Sequence, residues 1–214
     1  MTALTAYLLG SIPTGFLVAK ARGKDIRTIG SGNIGATNVF RYLGTKAGVF
    51  VLLADALKGW LAVAVVASLF SAWFQAPSDL VGRERLEIIA GLSVIVGHNY
   101  TCWLYFKGGK GIATSAGVLV GLVPGALLII LGVWIVVFAL TRFVSLASIA
   151  ASFTLPFATW LTGHTPTMIA ITAAMAALAI FKHKSNIKRL LDGTESRFAL
   201  KRTSATAEAP KSTS

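Results

Sequence analysis

The chain is predicted to be an all-α polytopic membrane protein with about seven transmembrane helices, its N-terminus periplasmic and its C-terminus cytoplasmic. Three observations lead there. Of the 214 residues, 55% are hydrophobic and only 13% charged, with a mean hydropathy of +0.72, outside the range of ordinary soluble domains. Several apolar runs approach the roughly 20 residues that a helix needs to cross a bilayer. They are continuous rather than alternating with period two, so a barrel is excluded and the backbone must pair within helices. Basic residues, finally, cluster in alternate connections, which sets the orientation. The formal charge of +12 then reflects cytoplasmic loops, anionic headgroups or anionic substrates, with no nucleic acid.

Each element follows in order. Residues 4–19 form the first apolar run, interrupted by Gly10, Ser11 and Pro13. No Lys or Arg precedes it, whereas Lys20, Arg22, Lys24, Arg27 and Arg41 follow, the order of an uncleaved helix that enters from outside. The second run, 47–74, carries Asp55 and Lys58 three residues apart and so on one face. Charges inside a membrane helix face the protein interior; this pair is either a structural ion pair or a support for the loop before it. Residues 75–87 are polar and belong outside. The third run, 86–105, returns the chain to the cytoplasm. Residues 116–140 are apolar throughout, but Gly121 and Pro124 split them into a short fourth helix, an external turn and a fifth helix. A sixth helix covers 144–161 with a kink at Pro156, and a seventh covers 167–181 after a turn that leaves His164 solvated. Residues 182–195 read as a short amphipathic helix on the inner surface, with Ile187, Leu190 and Leu191 opposite Lys188 and Arg189. Residues 1–195 thus form one membrane domain, and 196–214, rich in Ser, Thr, Ala and Lys, read as a disordered cytoplasmic tail. The single cysteine, Cys102, excludes an internal disulfide and reads as a buried small hydrophobe.

Three polar clusters fall on the cytoplasmic side. In the first, residues 29–41, Gly30, Gly32 and Gly35 alternate with Ser31, Asn33, Thr37 and Asn38 and lead to Arg41. Such a run is either a flexible connection or a concave loop of inward N–H groups that cradles an anion, with Arg41 as a planar fork. The second holds Lys107, Gly108, Gly109, Lys110, Gly111, Thr114 and Ser115. It lacks the glycine spacing of a Walker A loop. It is either a basic inner loop or a phosphate site at a helix N-terminus. The third places His183 and Asn186 three residues apart, followed by Asp192 and Glu195. Only those two carboxylates are near, which argues against a magnesium-dependent nucleotide hydrolase. An organic-anion transporter is the competing class. It would hold its polar groups near the bilayer midplane in two related halves, whereas here they gather at one face and the halves differ.

The segments 10–13, 30–41, 107–114 and 183–195 closely resemble the signature motifs of bacterial acyl-phosphate:glycerol-3-phosphate acyltransferases, a likeness covering residues 4–195. It implies a seven-helix inner-membrane enzyme with its active site at the cytoplasmic face. That enzyme makes lysophosphatidate from glycerol 3-phosphate and a long-chain acyl phosphate, without a metal or another cofactor. Membrane lipids and, functionally, the enzyme that produces acyl phosphate are the implied partners. By the same resemblance, Ser31 and Arg41 hold the phosphate of glycerol 3-phosphate, and Lys110 with the Gly108, Gly109 and Gly111 backbone orients phosphate charge. The amides of the first loop cradle the acyl-phosphate group. His183 is either general base or, with Asn186, an orienting group, a substrate phosphate oxygen being the competing base; Glu195 is structural.

Overall fold

The structure, a computed structural model, describes residues 1–73 and 80–198. Among them there is no strand. The first run is two helices, α1 (Thr2–Ser11) and α2 (Thr14–Lys20), separated at Ile12 and Pro13 because proline has no N–H to continue the ladder. A 3-10 turn and the glycine-rich segment lead into α3 (Ala36–Leu43). The second run is α4 (Thr45–Leu61) and α5 (Ala67–Trp73), joined through one turn of π-helix at Ala62–Val66. Helix α6 (Leu80–Asn99) starts earlier than the apolar run suggested, absorbing Arg83 to Glu87 into its first turns, where Arg83 pairs with Glu87. The expected external loop is therefore shorter; its remainder, 75–79, lies outside the described residues. Next come α7 (Ile112–Leu122), α8 (Pro124–Thr141), α9 (Val144–Leu161), α10 (Pro166–Lys182) and α11 (Lys184–Leu191).

The residues 2–20, 45–73, 124–141 and 144–161 are each long and apolar enough to cross a membrane, and α10 with α11, bent by 57°, makes a fifth candidate. Helix α7 is too short for a full crossing: 11 residues rise about 16 Å, half of a roughly 30 Å hydrocarbon layer. The break expected near Pro124 is there, at Val123.

Small residues let the helices meet closely, as packing in lipid requires. A Cβ at Gly10 would strike the Val94 carbonyl and one at Gly97 the Tyr7 carbonyl, which joins α1 to α6. Polar bonds close the same seam: Tyr7 Oη donates to Tyr100 O (2.9 Å) and Thr101 Oγ1 to Ser11 O (2.6 Å). Gly59 and Gly117 bring α4 against α7 in the same way. Helix α9 packs between α8 and α10. The outer face of α8, with Leu128, Ile135, Val136 and Leu140, stays exposed, as a lipid-facing surface does. A second, smaller core of Ala19, Ile26, Ile34, Val39, Val51 and Leu104 sits under the glycine-rich segment and fixes its base. Cys102 lies half-buried in a 3-10 turn rather than inside an apolar helix. Leu191 is exposed, so the apolar face of α11 is narrower than expected and rests on Ile187 and Leu190.

Candidate active site

A cavity of about 370 Å³ opens where the three polar clusters meet. Its mouth is polar: Ser31, Asn33, Gly35, Thr37, Arg41, Lys110, Gly111, Ser115, His183, Asn186, Arg189 and Glu195 line it. Its depth is mostly apolar, running between α7, α8, α9 and α10 past Leu119, Ile130, Leu131, Trp134, Leu155 and Met175, with Ser148 and Ser152 of α9 as polar points on the wall. The size is that of an ordinary small-molecule site.

The first cluster is not one long loop. The chain becomes helical at Ala36, so Thr37, Asn38 and Arg41 stand on α3. Gly30 and Gly32 adopt positive φ (60° and 68°), the turn for which glycine was expected. Asn38 lines the cavity, but its carboxamide is engaged within the loop. Its Nδ2 donates to Ile29 O (2.9 Å) and Asn33 O (3.0 Å), and its Oδ1 accepts from the Ser31 N–H. The Gly35 N–H is likewise taken by Asn33 Oδ1 (2.9 Å) and the Gly32 N–H by Ile29 O (3.0 Å). The small polar side chains thus hold the loop's own backbone, and the expected cradle of inward amides is largely spent internally.

The second cluster differs from expectation in the same sense. Gly108 and Gly109 donate their N–H groups to Asn99 O and His98 O, with Gly109 set close against Nε2 of the His98 ring. Lys107 is exposed and, like Gly30, Gly32, Gly108, Gly109 and Thr114, is not part of the cavity wall; Thr114 is buried behind it. What reaches the cavity is Lys110 together with the start of α7, where Gly111 takes positive φ (79°) before Ile112 and Ala113. Gly35, Ala36 and Thr37 at the start of α3 line it too. Two helix N-termini therefore end on one mouth, and their unpaired N–H groups favour an anion there.

The third cluster forms a connected network. Lys110 Nζ donates to Asn186 Oδ1. Asn186 Nδ2 donates to Glu195 Oε1 (2.7 Å), which also accepts from Ser145 Oγ (2.6 Å), while Arg189 Nε donates to Glu195 Oε2 (2.7 Å). Burial pushes the Glu195 carboxyl up, but the bonds from Ser145, Asn186 and Arg189 outweigh it and hold the group below its usual value. Burial brings Lys110 down to about 8, with Glu195 pulling the other way and Arg189 and Arg41 adding to the fall. His183, at the junction of α10 and α11, donates from Nδ1 to Ala179 O (2.8 Å), leaving Nε2 as an acceptor. Burial lowers it to about 4, opposed by the Ala179 bond and helped by Lys110, so it is neutral near pH 7.

The Asp55–Lys58 pair forms as the spacing predicted, at 2.9 Å and almost fully buried. Asp55 also accepts from Thr14 Oγ1 (3.0 Å) and lies 3.7 Å from His98 Nδ1; Lys58 donates to Ile12 O (2.9 Å). Ser145 and Arg189 complete the site without having been singled out as site residues. Ser145 carries no local signal, since only the return of the chain after Gly193 brings Glu195 to it. Arg189 had the look of one more solvated charge on α11.

A cationic mouth above an apolar slot, built on membrane helices, defines an integral-membrane protein with one cavity that is cationic at one end and apolar at the other. Residues 1–193 match the family described as Glycerol-3-phosphate acyltransferase. The chain is 47% identical over 193 residues to the glycerol-3-phosphate acyltransferase of Geotalea daltonii, covering 90% of this chain and 94% of that one. It is 45% identical over 195 residues to that of Geobacter sulfurreducens, with coverage of 90% and 94%. The crystal structure of PlsY (YgiH), an integral membrane glycerol 3-phosphate acyltransferase, in its glycerol 3-phosphate form matches with a TM-score of 0.81 at 40% identity, over 92% of this chain and 94% of that one. Its lysophosphatidic acid form matches with a TM-score of 0.78 at 39% identity. The chain belongs to the glycerol-3-phosphate acyltransferase family.

Proposed function

We propose that this protein transfers a fatty acyl group from a long-chain acyl phosphate to the 1-hydroxyl of glycerol 3-phosphate, giving lysophosphatidate and inorganic phosphate. It does so in a bacterial inner membrane, with the mouth at the cytoplasmic face. One observation carries the reading: the polar mouth and the apolar slot are a single cavity. From Ser145 to Leu155 along α9 the wall descends about 15 Å, half of a roughly 30 Å hydrocarbon layer and so the reach of one leaflet's chains. Relatives named for glycerol 3-phosphate, and a solved relative in glycerol 3-phosphate and lysophosphatidic acid forms, support the acceptor and the product.

In this reading Arg41 and Ser31 take the glycerol 3-phosphate phosphate. Lys110 and the N-terminus of α7 take the acyl-phosphate end, whose chain lies in the slot. The acceptor hydroxyl adds to the acyl carbon, the new ester C–O bond forms, and the C–O bond to phosphate breaks. The anhydride is already activated, so alignment supplies most of the acceleration. His183, held near 4, is a weak base. It accepts the hydroxyl's hydrogen bond through Nε2 and orients it, and the proton leaves on the departing phosphate. Asn186 and Glu195 fix Lys110; they do not touch the reacting atoms.

Purified protein given labelled glycerol 3-phosphate, with acyl phosphate as sole donor and a metal chelator present, should form lysophosphatidate and phosphate in equal amounts. Faster transfer from acyl-CoA would refute the donor. No product with any donor, together with passage of glycerol 3-phosphate into proteoliposomes, would replace the enzyme with a transporter.

A further inference from the structure

The chain does not stop at the third cluster. Residues 194–198 lie beyond the family's matched span of 1–193, and 196–198 belong to the segment whose composition suggested a tail. They nevertheless cross the mouth of the cavity. The Thr194 and Glu195 N–H groups bond Arg189 O at the end of α11, at 2.8 Å and 3.1 Å. From there the Arg197 guanidinium lies over the Phe143 ring (5.3 Å), and the Phe198 N–H donates to Arg142 O (2.8 Å) in the turn between α8 and α9. The Phe198 ring wedges edge-on against Phe138 of α8 (5.8 Å) and Phe40 of α3 (6.0 Å). Between these two moorings, the Ser196 carbonyl accepts a hydrogen bond from Arg41 Nη2 (2.9 Å).

Phe40, which Phe198 grips, is the neighbour in sequence of Arg41, which Ser196 holds, so one short strap fixes both. A backbone carbonyl takes one guanidinium N–H, leaves the other donors free and does not neutralise the charge. Arg189, by contrast, is paired to the Glu195 carboxylate. We propose that residues 196–198 are a positioning strap: Phe198 moors the chain so that the Ser196 carbonyl pre-sets the Arg41 fork for the phosphate of glycerol 3-phosphate. This rests on the acceptor assigned above. It adds that acceptor affinity is set by residues past the third motif, which touch no substrate.

The test measures glycerol 3-phosphate binding to the purified full chain by calorimetry with no donor present, so it does not depend on turnover. Phe198→Ala should weaken binding about fivefold by releasing the fork. Phe198→Tyr should restore it, and thermal unfolding should match the parent in both. In an Arg41→Lys background, itself weakened about tenfold, Phe198→Ala should change nothing further, because the group it positions is gone. Unchanged binding in folded Phe198→Ala would overturn the proposal. So would an equal fivefold loss in the Arg41→Lys background, which would place the strap's action elsewhere. A parent chain that binds glycerol 3-phosphate but forms no lysophosphatidate would refute the enzyme reading and leave the strap's effect on binding standing.

Discussion

Two ionic networks meet the same cavity, the first through Asp55 alone, and their difference shows where its chemistry lies. Asp55, Lys58 and Thr14 form the first; Lys110, Asn186, Glu195, Arg189 and Ser145 form the second. In the first, one carboxylate meets one ammonium, and Lys58 also satisfies the Ile12 carbonyl that the break before Pro13 releases from the α1 ladder. Among the described residues the two charges match, with His98 Nδ1 3.7 Å from the carboxylate, and both side chains are at most 6% exposed. In the second, one carboxylate faces Lys110 and Arg189, and Arg41 stands beside them with only a neutral carbonyl on it among the described residues. The first network mends a membrane helix. The second holds positive charge in surplus at the cavity mouth, and an anion completes it.

Removing one charge from each network separates the two roles most sharply. Asp55→Ala strands Lys58 in the interior, and breaking a buried pair this way costs about 3–5 kcal/mol. It should appear as a large drop in thermal unfolding temperature in detergent, mostly recovered by Asp55→Leu with Lys58→Met. A stable Asp55→Ala protein without activity would move the first network into the chemistry. Lys110→Met should act in the opposite way, with unfolding nearly unchanged. Its kcat/KM with acyl phosphate should fall at least about 100-fold, roughly 2.7 kcal/mol of transition-state stabilisation. The smallest effect is on pH. Lys110 is held at about 8 in the free site, so it loses its proton as pH rises through that value, while a bound phosphate favours the charged form. Binding then takes up a proton above about pH 8, and the KM for the substrate that Lys110 holds should rise about fourfold between roughly pH 7 and 8.5. Lys110→Arg should flatten that rise, whereas changes in the first network should leave it intact.

Much of this was legible in the chain. Apolar runs located the helices because lipid leaves the backbone no alternative, and the i, i+3 spacing of Asp55 and Lys58 gave their pairing. The glycines marked the mouth, but not what they do there. Asn38 was read as a donor to substrate, since a polar residue beside glycines looks like a ligand group; only the fold shows its carboxamide consumed by Ile29, Asn33 and Ser31. Helix α3 was hidden because its eight residues lie between two glycines, inside what looked like one loop. Partners far apart in sequence were out of reach, above all Ser145 with Glu195, 50 residues on. So was Phe198, whose aromatic mooring draws on α3 and α8 at once.

The single cavity, wet at one end and oily at the other, has a kinetic consequence. Each methylene of a fatty chain contributes about 0.8 kcal/mol to its partition into membrane, so a long-chain donor reaches the slot by lateral diffusion within the bilayer. Glycerol 3-phosphate arrives through water. Under the proposed reaction, the rate follows the molarity of one substrate and the mole fraction of the other among the lipids. Adding inert lipid at fixed total donor therefore dilutes the donor and slows the enzyme, while adding buffer at fixed glycerol 3-phosphate concentration does not.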